Sequence, residues 1–542
     1  MFYKLGIPED ALVRLAERVP EMTRRPYRLL HGDLHRGNLV MTAGGAPSVV
    51  VVDWELATFG DPLHDLATHL VRMRYPDHQW AEVVDAWAQA MHRVRPAAVA
   101  GLARDLGHYI AFERAQSVYP DIMRATRALG ESFDQRTLDR ATEWVDRALE
   151  AGAEPLRLRR VPNRAEIERI LFRWGASAQH RSGPAVHAIG WTPDRRVPEH
   201  PDFPHSAVDA ALQMEGVVPG GQVVRGDRHV NSVLWVPGTC FPVVVRRELP
   251  ADPRRERGFL GELAVLGVIE RSGVPVAAPR VLATGHSHAT NPAHLYRGDW
   301  FAIHTYEGSG ALGREPDHPV HGLRPHEADA LVDQLAALTA VDWTPIDPLA
   351  GRSDFYLWLV DQLAALVDGL PGETRRMARF LGLPEATRLR EILAMHRVTT
   401  RAPALLHGDL NPRSLVRRDD GRLSIVDWDR AMIGDPLYDL VRHMHLTPTR
   451  PEIRDRMFRR WETRLPRRHT RDWQTDWQVY RFFEIVRSAY VDLDLLVTGP
   501  GPEDPDVRRA VDSYAGTLAA AAASLGLPLR PRGAPRPARA MA

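Results

Sequence analysis

Two His-Gly-Asp turns stand 376 residues apart in this chain of 542. The first opens HGDLHRGNLV (residues 31–40), the second HGDLNPRSLV (residues 407–416). Each is followed by an Asp-Trp-acid triplet, with Asp53 in VVDWELATFGDPLHDLA and Asp427 in IVDWDRAMIGDPLYDLV. An apolar run that breaks into His-Gly-Asp puts a carboxylate, Asp33 or Asp409, on a loop where it can take a proton from a hydroxyl. Asp53 and Asp427 each end a β-branched run. They are hard oxygen ligands, suited to bridge Mg²⁺ to the β- and γ-phosphates of a nucleotide. Five residues after the loop aspartate a metal-binding amide is expected. Asn38 supplies it; Ser414 offers one weak oxygen instead. These are the parts that phosphoryl transfer requires. His31 and His407 share the catalytic loop, and a bracing hydrogen bond suits them better than reaction. Asp435 and Asp439 recur in both copies within GDPLxDL and read as structural, capping the next helix and bracing the loop.

The same two blocks in the same order point to a duplicated domain. LGIPED (residues 5–10) matches LGLPEA (residues 381–386) at the offset that relates His31 to His407. Downstream, YIAFERAQSVYPD (residues 109–121) matches YRFFEIVRSAYVD (residues 480–492). The first copy spans about 1–150 and starts inside the repeat unit; the second runs to about 526. Residues 151–206 are rich in Pro, Arg and Gly and read as a linker, with one helix over 164–174. Residues 527–542 read as a disordered tail.

The second copy alone has a long upstream region. QVVRG, SVLWV and FPVVVR read as three short strands between Gly and Pro turns. The loop RGDRHVNSV holds Gly226 and Asn231, whose backbone can approach phosphates; most hairpin loops share that composition. FPVVVR ends in Arg246 and Arg247. A cation there, paired with Glu262 on the next helix, would hold the α- and β-phosphates of ATP. An ordinary strand-end arginine is the alternative. Residues 294–308 read as two more strands. Leu260, Leu263, Leu266 and Ile269, then Leu331, Leu335 and Leu338, mark two helices.

Lys+Arg is 70 and Asp+Glu 69, so no overall field favours nucleic acid or an anionic membrane. The single cysteine, Cys240, excludes an intramolecular disulfide and a multi-cysteine zinc site. No stretch approaches a membrane span and the N-terminus lacks a signal-peptide pattern, which makes a soluble cytoplasmic protein the expectation. Lys4 is the only lysine, so work usually done by lysine falls to arginine.

HGDLHRGNLV…VVDWE and HGDLNPRSLV…IVDWD resemble the catalytic and metal motifs of the aminoglycoside phosphotransferase/choline kinase-like family. The resemblance covers about 1–150 and 207–526. It implies an α+β, protein-kinase-like bilobal fold preceded by an extra isolated C-lobe copy. Its expected domains are a truncated C-lobe (1–150), the linker (151–206), a nucleotide-binding N-lobe (207–308) and a catalytic C-lobe (309–526). It implies Asp33 and Asp409 as catalytic aspartates, Asn38 and Ser414 as the metal-binding amide position, and Asp53 and Asp427 as the second metal ligand. Arg246 falls where the family has its phosphate lysine, with Glu262 its helix partner. HTYEG, with His304 and Tyr306, is the expected hinge that holds adenine through backbone bonds.

The expected activity is therefore transfer of the γ-phosphate of ATP, with Mg²⁺, to a hydroxyl of a small aminoglycoside-, choline- or alcohol-like acceptor. The alternative is a pseudokinase-like protein that binds nucleotide or ligand without turnover. Two further possibilities are an N-lobe that serves the first copy and a true start upstream of Met1. Glu484, Asp492 and Asp494 can attract a cationic acceptor, with Trp473, Trp477, Tyr480 and Tyr490 adding cation–π contacts; as helix aromatics these four more often build core. A homo-oligomer through the orphan C-lobe face is a further expectation.

Overall fold

The computed structural model describes residues 1–527 apart from 43–47, 74, 159, 183–188, 227–228, 250–259, 290–298, 311, 313–314, 349, 352–353 and 499–504. The chain divides into two compact units, Met1–His187 and Ala188–Ala542.

In the first unit, α1 (Ala11–Glu17) precedes four short strands: β1 (Arg28–Leu30), β2 (Leu39–Met41), β3 (Val49–Val51) and β4 (Thr58–Gly60). β1 pairs antiparallel with β4, and β2 with β3. Five helices follow: α2 (Pro62–Met73), α3 (Asp77–Val94), α4 (Leu102–Glu131), α5 (Gln135–Gly152) and α6 (Arg164–Ser182). Leu63, Leu66 and Leu70 repeat at helical spacing, so α2 buries one stripe, which packs with Leu106 of α4. Asp134 caps α5 by accepting from the Thr137 N–H. α6 lies in the segment expected to be a linker, yet it packs against α4 and α5. Its buried Ile167, Leu171 and Phe172 supply an apolar stripe that the surrounding Pro, Arg and Gly obscure in composition.

The second unit starts with β5 (Ile189–Pro193) and α7 (His205–Glu215), then β6 (Val223–Arg225), β7 (His229–Leu234) and β8 (Val243–Glu248). α8 (Glu262–Ser272), β9 (Val281–Ala289) and β10 (Asp299–Thr305) complete its β-rich lobe. The six strands form one antiparallel sheet in the order β5-β9-β10-β8-β7-β6. Edge strand β5 comes from before residue 207, so this sheet draws on the expected linker too. Of the two strands expected over 294–308 one is present, β10; residues 294–298 lie outside those described.

The helical lobe holds α9 (Pro325–Leu338), α10 (Phe355–Gly369), α11 (Gly372–Phe380) and α12 (Ala386–Leu393). Next come β11 (Ala404–Leu406), β12 (Leu415–Arg417), β13 (Leu423–Ile425) and β14 (Met432–Gly434), paired β11 with β14 and β12 with β13. Then follow α13 (Pro436–Leu446), α14 (Pro451–Arg464), α15 (Arg467–Thr470), α16 (Trp473–Thr498) and α17 (Pro505–Ser524). Leu331 and Leu335 of α9, Trp428, Leu437, Trp461, Tyr480, Phe483 and Tyr490 share one core. Just past β10, Glu307 accepts from Ser424 Oγ at 2.8 Å and from Arg418 Nη1 at 2.5 Å, which ties the end of the sheet to the β12–β13 hairpin. The expected tail lies outside the described residues, Leu527 excepted. Among the described residues no helix is long and apolar enough to cross a membrane.

Candidate active site

β11 runs straight into His407-Gly408-Asp409, and the loop is fixed by its own backbone. Gly408 has φ 77°, and a Cβ there would lie 2.2 Å from the Arg430 carbonyl oxygen, so only glycine fits. The carboxylate of Asp439 accepts from the His407 N–H at 2.6 Å and the Gly408 N–H at 2.8 Å. Asp435 caps α13 through the Leu437 N–H at 3.0 Å and takes an ion pair from buried Arg401 at 2.7 Å. Both residues act as the sequence suggested.

His407 is a brace. Its Nδ1 accepts from the Asp409 N–H at 3.2 Å, and its Nε2 donates to the Val426 carbonyl at 2.9 Å. One neutral tautomer uses both nitrogens. No ring nitrogen is left for a substrate proton, which removes His407 from the catalytic set. His31 repeats the pattern with Asp33 N–H and the Val52 carbonyl at 3.3 and 2.8 Å, and is removed for the same reason.

Asp409 is surrounded by guanidinium groups. Arg442 Nη2 donates to its Oδ1 at 2.7 Å, and Arg430 Nε stands 3.5 Å from Oδ2. Burial alone would raise the Asp409 carboxyl; the charges of Arg442, Arg430 and Arg487 overcome that and hold it well below the usual carboxylate range. Asp409 is therefore a carboxylate at any ordinary pH.

Asp427 ends the strand run after β13 with φ 65°, and its side chain is 59% exposed. A left-handed aspartate stores local strain, and such strain concentrates at functional positions. Asp53 has φ 64°. Carboxylate oxygens of Asp427, Asp429 and Glu262 all lie within 4.8 Å of one another. An all-oxygen donor set of this kind suits a hard divalent cation.

The β-rich lobe contributes Arg246 from β8. It is buried, and its Nη1 pairs with Glu262 at 2.7 Å while its Nη2 reaches Asp429 at 3.2 Å and Asp427 at 3.9 Å. The same Nη2 donates to His229 Nδ1 at 2.8 Å. Burial pushes the Glu262 carboxyl up to about 7; Arg246 opposes this and the carboxylates of Asp429 and Asp427 add to it. Asn231 stands directly across from Arg246 in the β7–β8 ladder, which puts both on one face, and its Oδ1 is buried without a hydrogen-bond partner among the described residues.

Three expected contributions differ. The Gly226 N–H donates to the His229 carbonyl at 2.9 Å and closes the hairpin, so it is not offered to a phosphate. The Tyr306 N–H is engaged by the Pro242 carbonyl at 3.1 Å and is not available to adenine. His304 sits inside β10, its ring buried and its pKa pulled down to about 4, by burial first and the charge of Arg246 second. Ser414 is fully buried and its Oγ donates to the Asp409 carbonyl at 2.7 Å, where in the first unit Asn38 Nδ2 donates to the Asp33 carbonyl at 3.0 Å. Serine thus reproduces the loop-bracing bond of the amide and has no second oxygen.

The acids expected to attract a cation are consumed within the helices. Glu484 is buried against Arg442 and Tyr438, Asp492 pairs with Arg509, and Asp494 accepts from Thr374. Tyr480 and Tyr490 are core; Trp473 stacks on Phe458, and Trp477 is faced by Arg454 and Arg481. Asp429, His229, Arg442 and Arg430 joined the site unassigned from sequence. The acid of the Asp-Trp-acid triplet was the one signal that pointed to Asp429. A cavity of about 250 Å³ lined by Phe355, Trp358, Arg401, Asp435 and Tyr480 contains neither Asp409 nor Asp427.

The sequence matches the phosphotransferase enzyme family over residues 4–102 and 224–483, well over half of the chain, and the chain belongs to that family. Among solved structures it is similar to an ethanolamine kinase from Plasmodium vivax, at 12% identity over 55% of this chain and 80% of that one, with a TM-score of 0.38. It is similar to a choline/ethanolamine kinase family protein from Mesorhizobium loti, at 17% identity over 59% and 97%, with a TM-score of 0.36. A third is ADP-bound aminoglycoside phosphotransferase APH(2'')-Ib, at 16% identity over 56% and 93%, with a TM-score of 0.33. No curated protein matches the chain.

Proposed function

We propose that the second unit is an ATP- and Mg²⁺-dependent phosphotransferase acting on a hydroxyl of a small molecule. The observation that carries this reading is the meeting of Arg246 and Glu262 from the β-rich lobe with Asp427 and Asp429 from the helical lobe, in a family built for phosphoryl transfer. Asp409 accepts a hydrogen bond from the acceptor hydroxyl and orients it. The hydroxyl oxygen forms a bond to the γ-phosphorus, the bond to the β–γ bridging oxygen breaks with its electron pair on ADP, and the hydroxyl proton passes to Asp409. Asp427 and Asp429 would hold Mg²⁺, which would supply neutralisation of phosphate charge. Arg246 steadies the α- and β-phosphates, and Glu262 aims its guanidinium. Catalysis is then mainly positioning and electrostatics.

The first unit, in this reading, is a second C-lobe copy. Support comes from interactions that both units share: Arg25 pairs with Asp61 at 2.6 Å and with Asp105, as Arg401 pairs with Asp435 and Asp476 at 2.7 and 2.6 Å. Tyr109 and Tyr480 each cap that network from 3.0 and 2.9 Å. Ser414 favours a second reading, a nucleotide-binding protein without turnover, because the amide oxygen is missing. Calorimetric titration with a non-hydrolysable ATP analogue, with and without Mg²⁺, comes first, followed by ADP release. One Mg²⁺-dependent site lost in Asp427→Ala, with turnover, supports the enzyme. Binding without turnover leaves the second reading, and no binding sinks both.

A further inference from the structure

Each loop aspartate is held by an arginine, and each arginine is held by a buried glutamate. In the second unit Arg442 spans Asp409 Oδ1 at 2.7 Å and Glu484 Oε2 at 2.6 Å. In the first, Arg72 bridges Asp33 Oδ1 and, through Nε at 2.8 Å, Glu113 Oε1. Both glutamates are buried on the long helix behind the loop, α16 and α4. Yet the arginines do not occupy the same place. Setting GDPLHDL on GDPLYDL puts Asp65 on Asp439, Thr68 on Arg442, and Arg72 on Leu446. The two arginines leave α2 and α13 one helical turn apart, on neighbouring positions of one face. The bridge is shared; the residue position is not.

A packing role does not account for this, since a packing residue serves one location. A need for the bridge does. An aspartate on a loop is free to turn about its χ angles, and each orientation but one moves its acceptor oxygen away from the incoming hydroxyl. A guanidinium fork fixed by a second carboxylate removes that freedom. We propose that Arg442 is a positioning residue for the transfer: anchored by Glu484, it fixes Asp409 Oδ1 so that Oδ2 faces the acceptor hydroxyl. This rests on the phosphotransferase reading above.

The test exploits the displaced position. The full chain is compared with Arg442→Thr, Arg442→Lys and the double variant Arg442→Thr/Leu446→Arg, which copies the first unit. Readouts are ADP release from Mg-ATP with water, choline, ethanolamine, gentamicin or hygromycin B as acceptor, affinity for a non-hydrolysable ATP analogue, and crystal structures. Arg442→Thr is expected to lower kcat about 100-fold, with nucleotide affinity little changed and Asp409 rotated. The double variant restores the bridge and at least about tenfold of the rate, and Arg442→Lys restores less, because an ammonium lacks the fork. Wild-type kcat in Arg442→Thr overturns the proposal. So does a double variant that rebuilds the bridge in the crystal without recovering rate. An unmutated chain that binds the analogue but turns over no acceptor fails the phosphotransferase reading itself, and the positioning role with it.

Discussion

Trp54 and Trp428 follow Asp53 and Asp427 in the two units, and each lies 4.8 Å from the histidine of its loop. Trp54 is 46% exposed and Trp428 is 0% exposed. The surroundings make the difference. In the second unit the Trp428 N–H donates to Glu262, the Gln334 amide of α9 donates to the Leu423 carbonyl, and the Ile425 N–H donates to the Ala277 carbonyl. The first unit has the same loop, and there Leu29, Val40, Phe59 and Trp54 are exposed. The lesson is a division of labour. The His-Gly-Asp loop is self-contained, built by its glycine, its histidine, the two helix aspartates and an arginine. The nucleotide site of the proposed function belongs to the cover, because Arg246 and Glu262 both come from it.

That division can be broken most sharply at the loop aspartates. Asp409→Ala is expected to cut ATP-dependent turnover by about a thousandfold or more, in the upper range for a group that handles the proton. Asp33→Ala is expected to leave it unchanged. The reverse pattern in steady-state ADP release would move the active centre to the first unit.

The shared Arg-Asp-Asp networks give the next largest effect. Removing one partner of a buried ion pair costs roughly 3–5 kcal/mol. Arg401→Ala should therefore destabilise the second unit and Arg25→Ala the first. Hydrogen exchange read by mass spectrometry will locate each loss, and protection unchanged in both variants would show that the networks carry no stability.

Ser414→Asn gives the second loop the residue of the first. Its Nδ2 can replace the Ser414 hydroxyl on the Asp409 carbonyl and leave a carbonyl oxygen for metal. Apparent Mg²⁺ affinity in the nucleotide titration should improve about tenfold, roughly 1.4 kcal/mol. An unmoved Mg²⁺ midpoint would take position 414 out of the metal site.

Acid gives the smallest effect. Burial draws His443 down to about 4, and it lowers the half-buried His69, its counterpart in the first unit, in the same direction. The unfolded chain binds these protons near pH 6.5 while the folded second unit refuses its own until about pH 4, so stability falls as pH drops across that window. The fall should be steeper in the second unit, and His443→Asn should flatten it in urea unfolding at pH 7 against pH 5. Equal slopes would remove the distinction.

Much of this was legible in sequence, for a physical reason. Part of the loop is coupled over two to five positions, His407 to Asp409 and Ser414 to Asp409, and the rest through a second block 19 to 32 positions on that recurs in both copies and carries Asp435 and Asp439. Arg442 stands 33 positions from Asp409 and Asp429 183 from Arg246, and no spacing in the sequence joins either to its partner. Glu484 looked like a surface acid because a helix of mixed polarity does not reveal which carboxylate faces an internal arginine. Gly226 and Tyr306 misled because composition reports which backbone groups exist, not which are already bonded. Ser414 read as a loss, and its retained hydrogen bond emerged only from geometry.

The arginine-rich composition also governs what reagents can find. Lys4 is the one lysine and is buried, so lysine-directed labels find no exposed side chain, and arginines such as Arg246 do not react with them. Cys240, by contrast, is exposed on the connection between β7 and β8. A single maleimide dye therefore marks one place on the β-rich lobe of the unaltered chain, and its fluorescence can follow that lobe as nucleotide is added.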